Sequence, residues 1–388
     1  MMRSLLGILL LVPFCVSGLD LDASLESLVR SQGYPFEQHS VVTEDGYILT
    51  LHRIPYGRNH TGQIGRPVLL QHGILCSSAG WLLSRPDKAL GLILADQGYD
   101  VWLPNSRGNT YSRMHKNISI HSAKYWDFSF HEMGYYDLPA CVDYILHNTG
   151  YSKLEYIGHS QGTTIFFVFA STRPEYNKKI SYMSALAPIV FLDNMRGTLR
   201  GLNYLSAQLE LFCKLTGIHE VLHDSWAVRL AEKVLCEAFS FEEKICDNIV
   251  FLIVGYDAQQ WNMTLLPMID TYMPAGTSIK QLVHFSQIAK NGGYFRNYDY
   301  GYIKNLEIYH QRIPPVYDLS KISVPVTLHY GNNDWLTGLN DIMKLNSSLP
   351  DSNTKLVPFS YFNHLDFMWA KDVDKLLYKD LLKILKTH

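Results

Sequence analysis

Gly158-His159-Ser160-Gln161-Gly162 follows the apolar run Leu154-Glu155-Tyr156-Ile157 and precedes the uncharged run from Thr163 to Ala170. A strand, a glycine-flanked serine and a helix in that order predict a strand-to-helix elbow. Glycine on both sides lets strand and helix approach closely, and the sharp turn forces the serine backbone into a strained conformation. Such an elbow exposes the Ser160 hydroxyl at the sheet edge. It also points the backbone N–H of Gln161, at the helix N-terminus, toward any negative charge that forms there. The bland alternative is a serine that only caps a helix, and the rest of the chain decides between the two.

A serine hydroxyl is a poor nucleophile at its own pKa and needs a base that is oriented by an acid. The run Val324-Pro325-Val326-Thr327-Leu328-His329-Tyr330 reads as a buried strand. It ends in the turn Gly331-Asn332-Asn333-Asp334, which leaves Asp334 at the strand's carboxyl end. A short strand at Lys355-Leu356-Val357 follows, and then Asn363-His364-Leu365-Asp366 in a loop before the last helix. Ser160, Asp334 and His364 therefore stand in the order that an α/β-hydrolase chain uses. Among the 16 histidines, His159 adjoins the serine but points away from it in a tight elbow, and His329 lies within a strand as a core residue. Asp341 falls where a helix has already begun, and Asp366 is too close to His364 to orient it, so Asp334 is preferred as the acid.

Upstream, Pro67-Val68-Leu69-Leu70-Gln71-His72-Gly73-Ile74 has the form of a buried strand running into a His-Gly turn. The N–H of Ile74 is the expected second oxyanion donor beside that of Gln161. One such donor contributes about 2.7 to 4 kcal/mol to transition-state stabilisation.

Further motifs are Glu44-Asp45-Gly46-Tyr47-Ile48-Leu49, Asn105-Ser106-Arg107-Gly108-Asn109-Thr110, Phe128-Ser129-Phe130-His131-Glu132-Met133, Tyr136-Asp137-Leu138-Pro139-Ala140 and Asn363-His364-Leu365-Asp366-Phe367. Through them, and over essentially its whole length, the chain resembles the acid lipase family that includes gastric and lysosomal acid lipases. The resemblance maps nucleophile, acid and base onto Ser160, Asp334 and His364, and the oxyanion donors onto Ile74 and Gln161. It implies hydrolysis of lipid carboxyl esters, chiefly triacylglycerols and sterol esters, at a lipid–water interface and without a cofactor. Cys76 departs from the small residue usual after the oxyanion turn, and Val254 stands where some relatives carry a free cysteine.

Met1-Met2-Arg3, the apolar stretch Leu5 to Val16 and the small-residue site Val16-Ser17-Gly18 predict a signal peptide over residues 1–18. The apolar stretch is too short to span about 30 Å of hydrocarbon, so a secreted or lysosomal destination is expected. Sequons at Asn59, Asn117, Asn262 and Asn346 accord with passage through the glycosylation machinery. Cys15 leaves with the signal, so Cys76, Cys141, Cys213, Cys236 and Cys246 remain and at least one is unpaired. Proximity, together with the resemblance to the family's cap bridge, singles out Cys236 and Cys246. Closing a loop of about ten residues stabilises by roughly 3 kcal/mol.

Along the chain, Asp45-Gly46 between two apolar runs predicts a hairpin at the antiparallel edge of a sheet. Strands at Pro67–Gln71, Asp100–Leu103, Leu154–Ile157 and Ser181–Ala187 alternate with helices at Pro86–Asp96, Tyr136–His147 and Thr163–Ala170. That rhythm predicts an α/β fold, a mostly parallel sheet covered on both faces. It stops over 190–315, where helical segments such as Leu202–Leu215 and Trp226–Phe239 suggest a cap and lid inserted into a core made of 19–189 and 316–388. Leu205, Leu209, Leu211, Phe212 and Leu215 form a wide apolar face there, suited to a mobile lid. The basic final helix, Lys375–Lys386, is expected to pack its apolar stripe on the sheet.

Composition sets outer limits. With 388 residues and 47% hydrophobic content the chain buries a large core, and its net charge of −2 carries no signature of nucleic-acid binding. No Cys-x-x-Cys spacing suggests a metal. The oligomeric state is left open. A carrier that kept the fold and lost the chemistry is disfavoured by the intact triad, and a peptidase by the breadth of the motif match.

Overall fold

The computed structural model describes residues 21–59, 64–197, 200, 215–221, 254–290 and 292–388. The expected signal peptide over 1–18, the helices expected over 202–215 (save its last residue) and 226–239, and Cys213, Cys236 and Cys246 lie outside the described residues. Eleven strands are present among those described. They are β1 Glu37–Val42, β2 Tyr47–Ile54, β3 Pro67–Gln71, β4 Asp100–Pro104, β5 Met114–His115, β6 Leu154–His159, β7 Ile180–Leu186, β8 Glu220–Val221, β9 Thr277–Ser278, β10 Val326–Tyr330 and β11 Ser352–Leu356.

Nine of them form one sheet in the order β1-β2-β4-β3-β6-β7-β10-β11, with β5 paired to β2. From β4 to β11 every neighbouring pair is parallel. The β1–β2 hairpin forms the antiparallel edge. Its turn is built by Thr43, whose hydroxyl donates to Asp45 at 2.6 Å, and by Gly46 at φ +97°.

The central strands read as mostly apolar runs because the sheet is buried on both faces. Side chains alternate between the two faces with the period of a strand. Leu69, Trp102 and Tyr156 face one core with Phe166, Phe167 and Phe169. Val68, Leu70, Val101, Leu103 and Ile157 face the other with Leu92, Leu377 and Leu381. The elbow helix Gln161–Thr172 is buried along nearly its whole length. It lies so close to the turn Met133–Asp137 that a Cβ on Gly134 would fall 2.7 Å from the Val168 side chain.

Two helices begin differently from expectation. Met133–Asp137 is a π-turn that runs into the α-helix Leu138–Thr149, and Asp374–Tyr378 is a π-turn that runs into Lys379–Leu385. The last helix buries Leu377, Tyr378, Leu381 and Leu385 and leaves Lys375, Lys379, Lys383 and Lys386 in solvent, as its amphipathic pattern predicts.

Between β7 and β10 no described residue joins the main sheet. The described part holds the helices Leu266–Tyr272, Ile279–Lys290 and Tyr302–Tyr309 and the small β8–β9 pair. This part packs closely on the core: Ile189, Val190, Phe191, Ile288 and Phe295 share one cluster with Ile165 and Phe166.

One polar cluster fastens the edge hairpin to the core. Arg107, 1% exposed, donates to Asp137 at 2.6 and 2.9 Å and to Asp45 at 2.6 and 3.0 Å, and its guanidinium lies 4.0 Å from the centre of the Tyr47 ring. Removing one member of a buried ion pair leaves the other charge uncompensated, at a cost of about 3–5 kcal/mol. Arg107→Met should therefore lower the unfolding free energy, measured by urea denaturation, by an amount in this range. Asp45→Asn should cost less, since Asp45 is partly solvated.

Candidate active site

Ser160 sits at the sharp junction of β6 and the elbow helix, with φ +54° and ψ −123°. This positive φ is sterically unfavourable for a residue with a Cβ. Neighbouring glycines make room for it: a Cβ on Gly162 would fall 2.3 Å from the carbonyl oxygen of Gln71, and one on Gly158 would fall 2.8 Å from the Gly162 backbone. The Ser160 N–H donates to Leu186 O at 3.0 Å, and the Thr163 hydroxyl donates to Ser160 O at 2.6 Å.

Three side chains from separate loops meet there. The Ser160 hydroxyl lies 2.7 Å from His364 Nε2, and His364 Nδ1 lies 2.7 Å from Asp334 Oδ2. With Nδ1–H donating to the carboxylate, Nε2 is left to accept the serine proton. The other Asp334 oxygen accepts from the N–H of Leu336 at 2.9 Å. All three residues are buried, at 5%, 3% and 1% exposure, so charge interactions among them are weakly screened.

The two rival aspartates are occupied elsewhere. Asp341 caps the helix Leu339–Ser348 and accepts from the Asn194 backbone and side chain at 3.1 and 2.9 Å. Asp366 accepts from the N–H of Asn363 at 2.6 Å. His159 turns from the serine hydroxyl and supports the base from below, with Nε2 donating to the carbonyl of His364 at 2.9 Å. Burial, then the neighbouring His364, push its pKa down to about 3, so it stays neutral. His329 is buried in β10, as expected of a core residue.

The His72-Gly73-Ile74 turn lies against the elbow, where a Cβ on Gly73 would sit 3.0 Å from Ser160 Cβ and 3.4 Å from its hydroxyl. His72 locks this turn: Nδ1 donates to Gly73 O at 2.8 Å, and Nε2 accepts from the N–H of Ser106 at 3.0 Å. Burial holds its pKa down at about 4. The Asn105–Thr110 run thereby gains a role that the sequence alone did not disclose. Asn105 accepts from the N–H of Ser78 at 3.0 Å, Gln71 donates to Ser106 at 3.0 Å, and Arg107 anchors the hairpin. Similarly, Ser129 and Glu132 of the Phe128–Met133 run form a capping box that also bonds His284 at 2.9 Å. For the Asn105–Thr110 run, polar residues immediately after the buried strand β4 were the available signal.

Of the four sequons, Asn59 and Asn117 are exposed, while Asn262 and Asn346 are partly buried and cap or brace local turns. Cys76 and Cys141 are buried free thiols, and burial pushes that of Cys76 up to about 12. No helix among the described residues is long and apolar enough to cross a membrane.

A serine–histidine–aspartate line beneath a glycine-flanked elbow, on this sheet order, defines an α/β-hydrolase. Residues 66–207 match the alpha/beta hydrolase fold family and residues 25–85 match the partial alpha/beta-hydrolase lipase region. Lipase 3 of Drosophila melanogaster is 41% identical over 93% of this chain and 92% of its own length. The gastric triacylglycerol lipase of Homo sapiens is 38% identical over 93% of this chain and 90% of its own. An esterase from Exiguobacterium antarcticum shares the fold, with a TM-score of 0.53 at 13% identity, over 90% of this chain and all of that one. The chain belongs to the acid lipase family of α/β-hydrolases.

The hydrogen-bond partners separate the acids experimentally. Asp334→Asn should reduce kcat by about 10⁴-fold, because an amide no longer enforces the correct imidazole tautomer. Asp341→Asn should leave kcat near wild type, with its cost confined to Tm. Steady-state kinetics and melting curves of both variants check this.

Proposed function

We infer that this chain is a lipase of the secretory pathway that hydrolyses carboxyl esters of lipids, triacylglycerols and sterol esters, through an acyl-enzyme on Ser160. The observation that carries the reading is the unbroken line from Asp334 through His364 to the Ser160 hydroxyl, at 2.7 Å for each contact. The names of the relatives supply the lipid substrate class.

In the acylation step, Ser160 Oγ attacks the ester carbonyl carbon while His364 Nε2 takes its proton. The oxyanion is held by the N–H groups of Ile74 and Gln161, whose turns abut Ser160. As the tetrahedral species collapses, the C–O bond to the alcohol breaks and His364 returns the proton to the leaving oxygen. Asp334 holds the imidazole and stabilises its charged form. Water then attacks the acyl ester by the same route, releasing the fatty acid and restoring the serine.

The segment 190–315 is assigned as a cap over this site, a suitable place for apolar surface that lifts a lipid ester out of its phase. An N-terminal signal over 1–18 and the exposed Asn59 and Asn117 fit export. Within the cap we assign a disulfide between Cys236 and Cys246. Peptide mapping without reduction should recover these two linked, and a Cys213–Cys236 or Cys213–Cys246 link would remove the assignment.

The decisive assay follows hydrolysis of a triacylglycerol emulsion and of a sterol ester by the wild type and by Ser160→Ala. The variant should keep its melting curve and lose kcat on the order of 10⁶-fold, because triad members act as a unit. Retained turnover in the variant would exclude Ser160, and a wild type inactive on every lipid ester would favour a carrier.

A further inference from the structure

Two buried carboxyl groups outside the triad each keep one oxygen that no N–H or O–H reaches. Asp257 and Asp366 are both 1% exposed. Asp257 Oδ1 accepts from the N–H groups of Gln259 at 2.9 Å and Gln260 at 3.0 Å, and Asp366 Oδ2 accepts from the N–H of Asn363 at 2.6 Å. The other two oxygens, Asp257 Oδ2 and Asp366 Oδ1, have no donor, and the two side chains lie within hydrogen-bonding reach of one another. An ionised carboxylate only accepts, so two of them cannot bond without a proton between them.

The position of the pair gives this proton a consequence. Asp366 stands two residues from His364. Asp257 belongs to the segment 254–260, which crosses both loops of the site. Val254 O accepts from the N–H of Trp335 at 3.3 Å and from that of His364 at 3.4 Å. Gly255 O accepts from the Asn363 side chain at 2.9 Å, and Tyr256 O from that of Asn333 at 2.7 Å. Gln260 O accepts from the N–H of Lys371 at 2.8 Å. Gly255 has φ +109°, and a Cβ there would fall 2.0 Å from Asn333 O, so only glycine lets the segment lie flat on the acid loop.

We propose that Asp257 and Asp366 share one proton and act as a positioning pair, which clamps the 254–260 crosspiece to the His364 loop and holds His364 in register with Asp334 while that proton is bound. The proposal rests on the reading of Ser160, Asp334 and His364 as the triad.

The surroundings favour the protonated form. Asp334 faces the pair from the acid loop and adds negative charge. His364 lies on the same loop as Asp366, and beyond Gln260 stand Lys371, which donates to Gln259 O at 3.2 Å, and Asp372. No lysine or arginine among the described residues forms an ion pair with either carboxyl. Burial first, then Asp257 and Asp334, push the Asp366 carboxyl well above the usual carboxylate range. A folded-state pKa raised above the unfolded value means that the folded chain binds a proton that the unfolded chain releases. The contribution to stability is complete below the ordinary carboxylate pKa of about 4 and is lost as pH rises through the folded-state value. The clamp is thus set for work on the acid side and loosens on the alkaline side.

The test measures Tm, and kcat on a soluble short-chain ester, from about pH 5 to about pH 9 for the wild type, Asp366→Asn, Asp257→Asn and Asp366→Ala. An amide in place of either carboxyl donates N–H to the partner with no proton to lose. Both amide variants should therefore retain most of the activity and move the alkaline decline of Tm and kcat upward by about one unit or more. Asp366→Ala, which leaves Asp257 alone, should lose about tenfold or more in kcat at every pH. Profiles of both amide variants that superimpose on the wild type, or amide variants as impaired as Asp366→Ala, would overturn the proposal. Repeating the Tm series on a Ser160→Ala background separates the two readings. A profile that still moves there keeps the proton clamp even if Ser160 is not the nucleophile, and one that does not move removes the clamp alone.

Discussion

The backbone of Ser160, held at φ +54° and ψ −123°, is the constraint on which the rest of the structure depends. A non-glycine residue in such a conformation costs about 1–3 kcal/mol and persists only where its surroundings fix it. Here β3, β6 and β7 supply those surroundings. Gln71 O lies where any side chain on Gly162 would collide, Leu186 O takes the serine N–H, and Thr163 ties the Ser160 carbonyl to the backbone of Ile189. The fully buried phenylalanines of the elbow helix keep it pressed against the sheet. Burial of apolar surface is thereby converted into a fixed direction for one hydroxyl.

Acid and base come from loops that share no strand, so their alignment is a separate problem. Parallel strands β10 and β11 fix where the Asp334 loop begins, and Val254 O receives N–H groups from both the acid loop and the histidine loop. From the other side, His159 donates to the His364 carbonyl, and His72 locks the Gly73 turn against Ser160. Both imidazoles are kept neutral by burial. They remain hydrogen-bonding struts at acidic pH, where an exposed histidine would become charged.

Local pattern revealed the sheet and the three residues that meet, Ser160, His364 and Asp334, because both leave short-range traces. The elbow is five consecutive residues, the β1–β2 hairpin is marked by Asp45-Gly46, and β3, β4, β6 and β10 are mostly apolar runs bounded by turns. The choice of Asp334 over Asp341 and Asp366 also followed from spacing, and the hydrogen-bond partners of each are consistent with it. Contacts made at long range left no such trace. Arg107 meets Asp45 and Asp137 from 62 and 30 residues away, and Asp257 reaches Asp366 across more than 100 positions. The π-turn at Met133–Asp137 was unreadable for another reason: it accommodates the close packing of Gly134 on Val168, which no helical periodicity encodes. Of the apolar face expected for a lid, only Leu215 falls among the described residues, and it is 79% exposed.

The central claim, that Ser160 is an acylatable nucleophile activated by His364, is tested most directly by covalent capture. An alkyl phosphonate with a nitrophenyl leaving group transfers phosphorus to an activated serine oxygen, and one nitrophenolate departs per bond formed. Intact-mass and peptide analysis of the reacted protein should find a single adduct on Ser160, nitrophenolate release equal to adduct, loss of ester turnover in step with labelling, and no adduct in His364→Ala. An adduct on another residue, or full turnover in protein whose Ser160 is completely modified, would contradict the account.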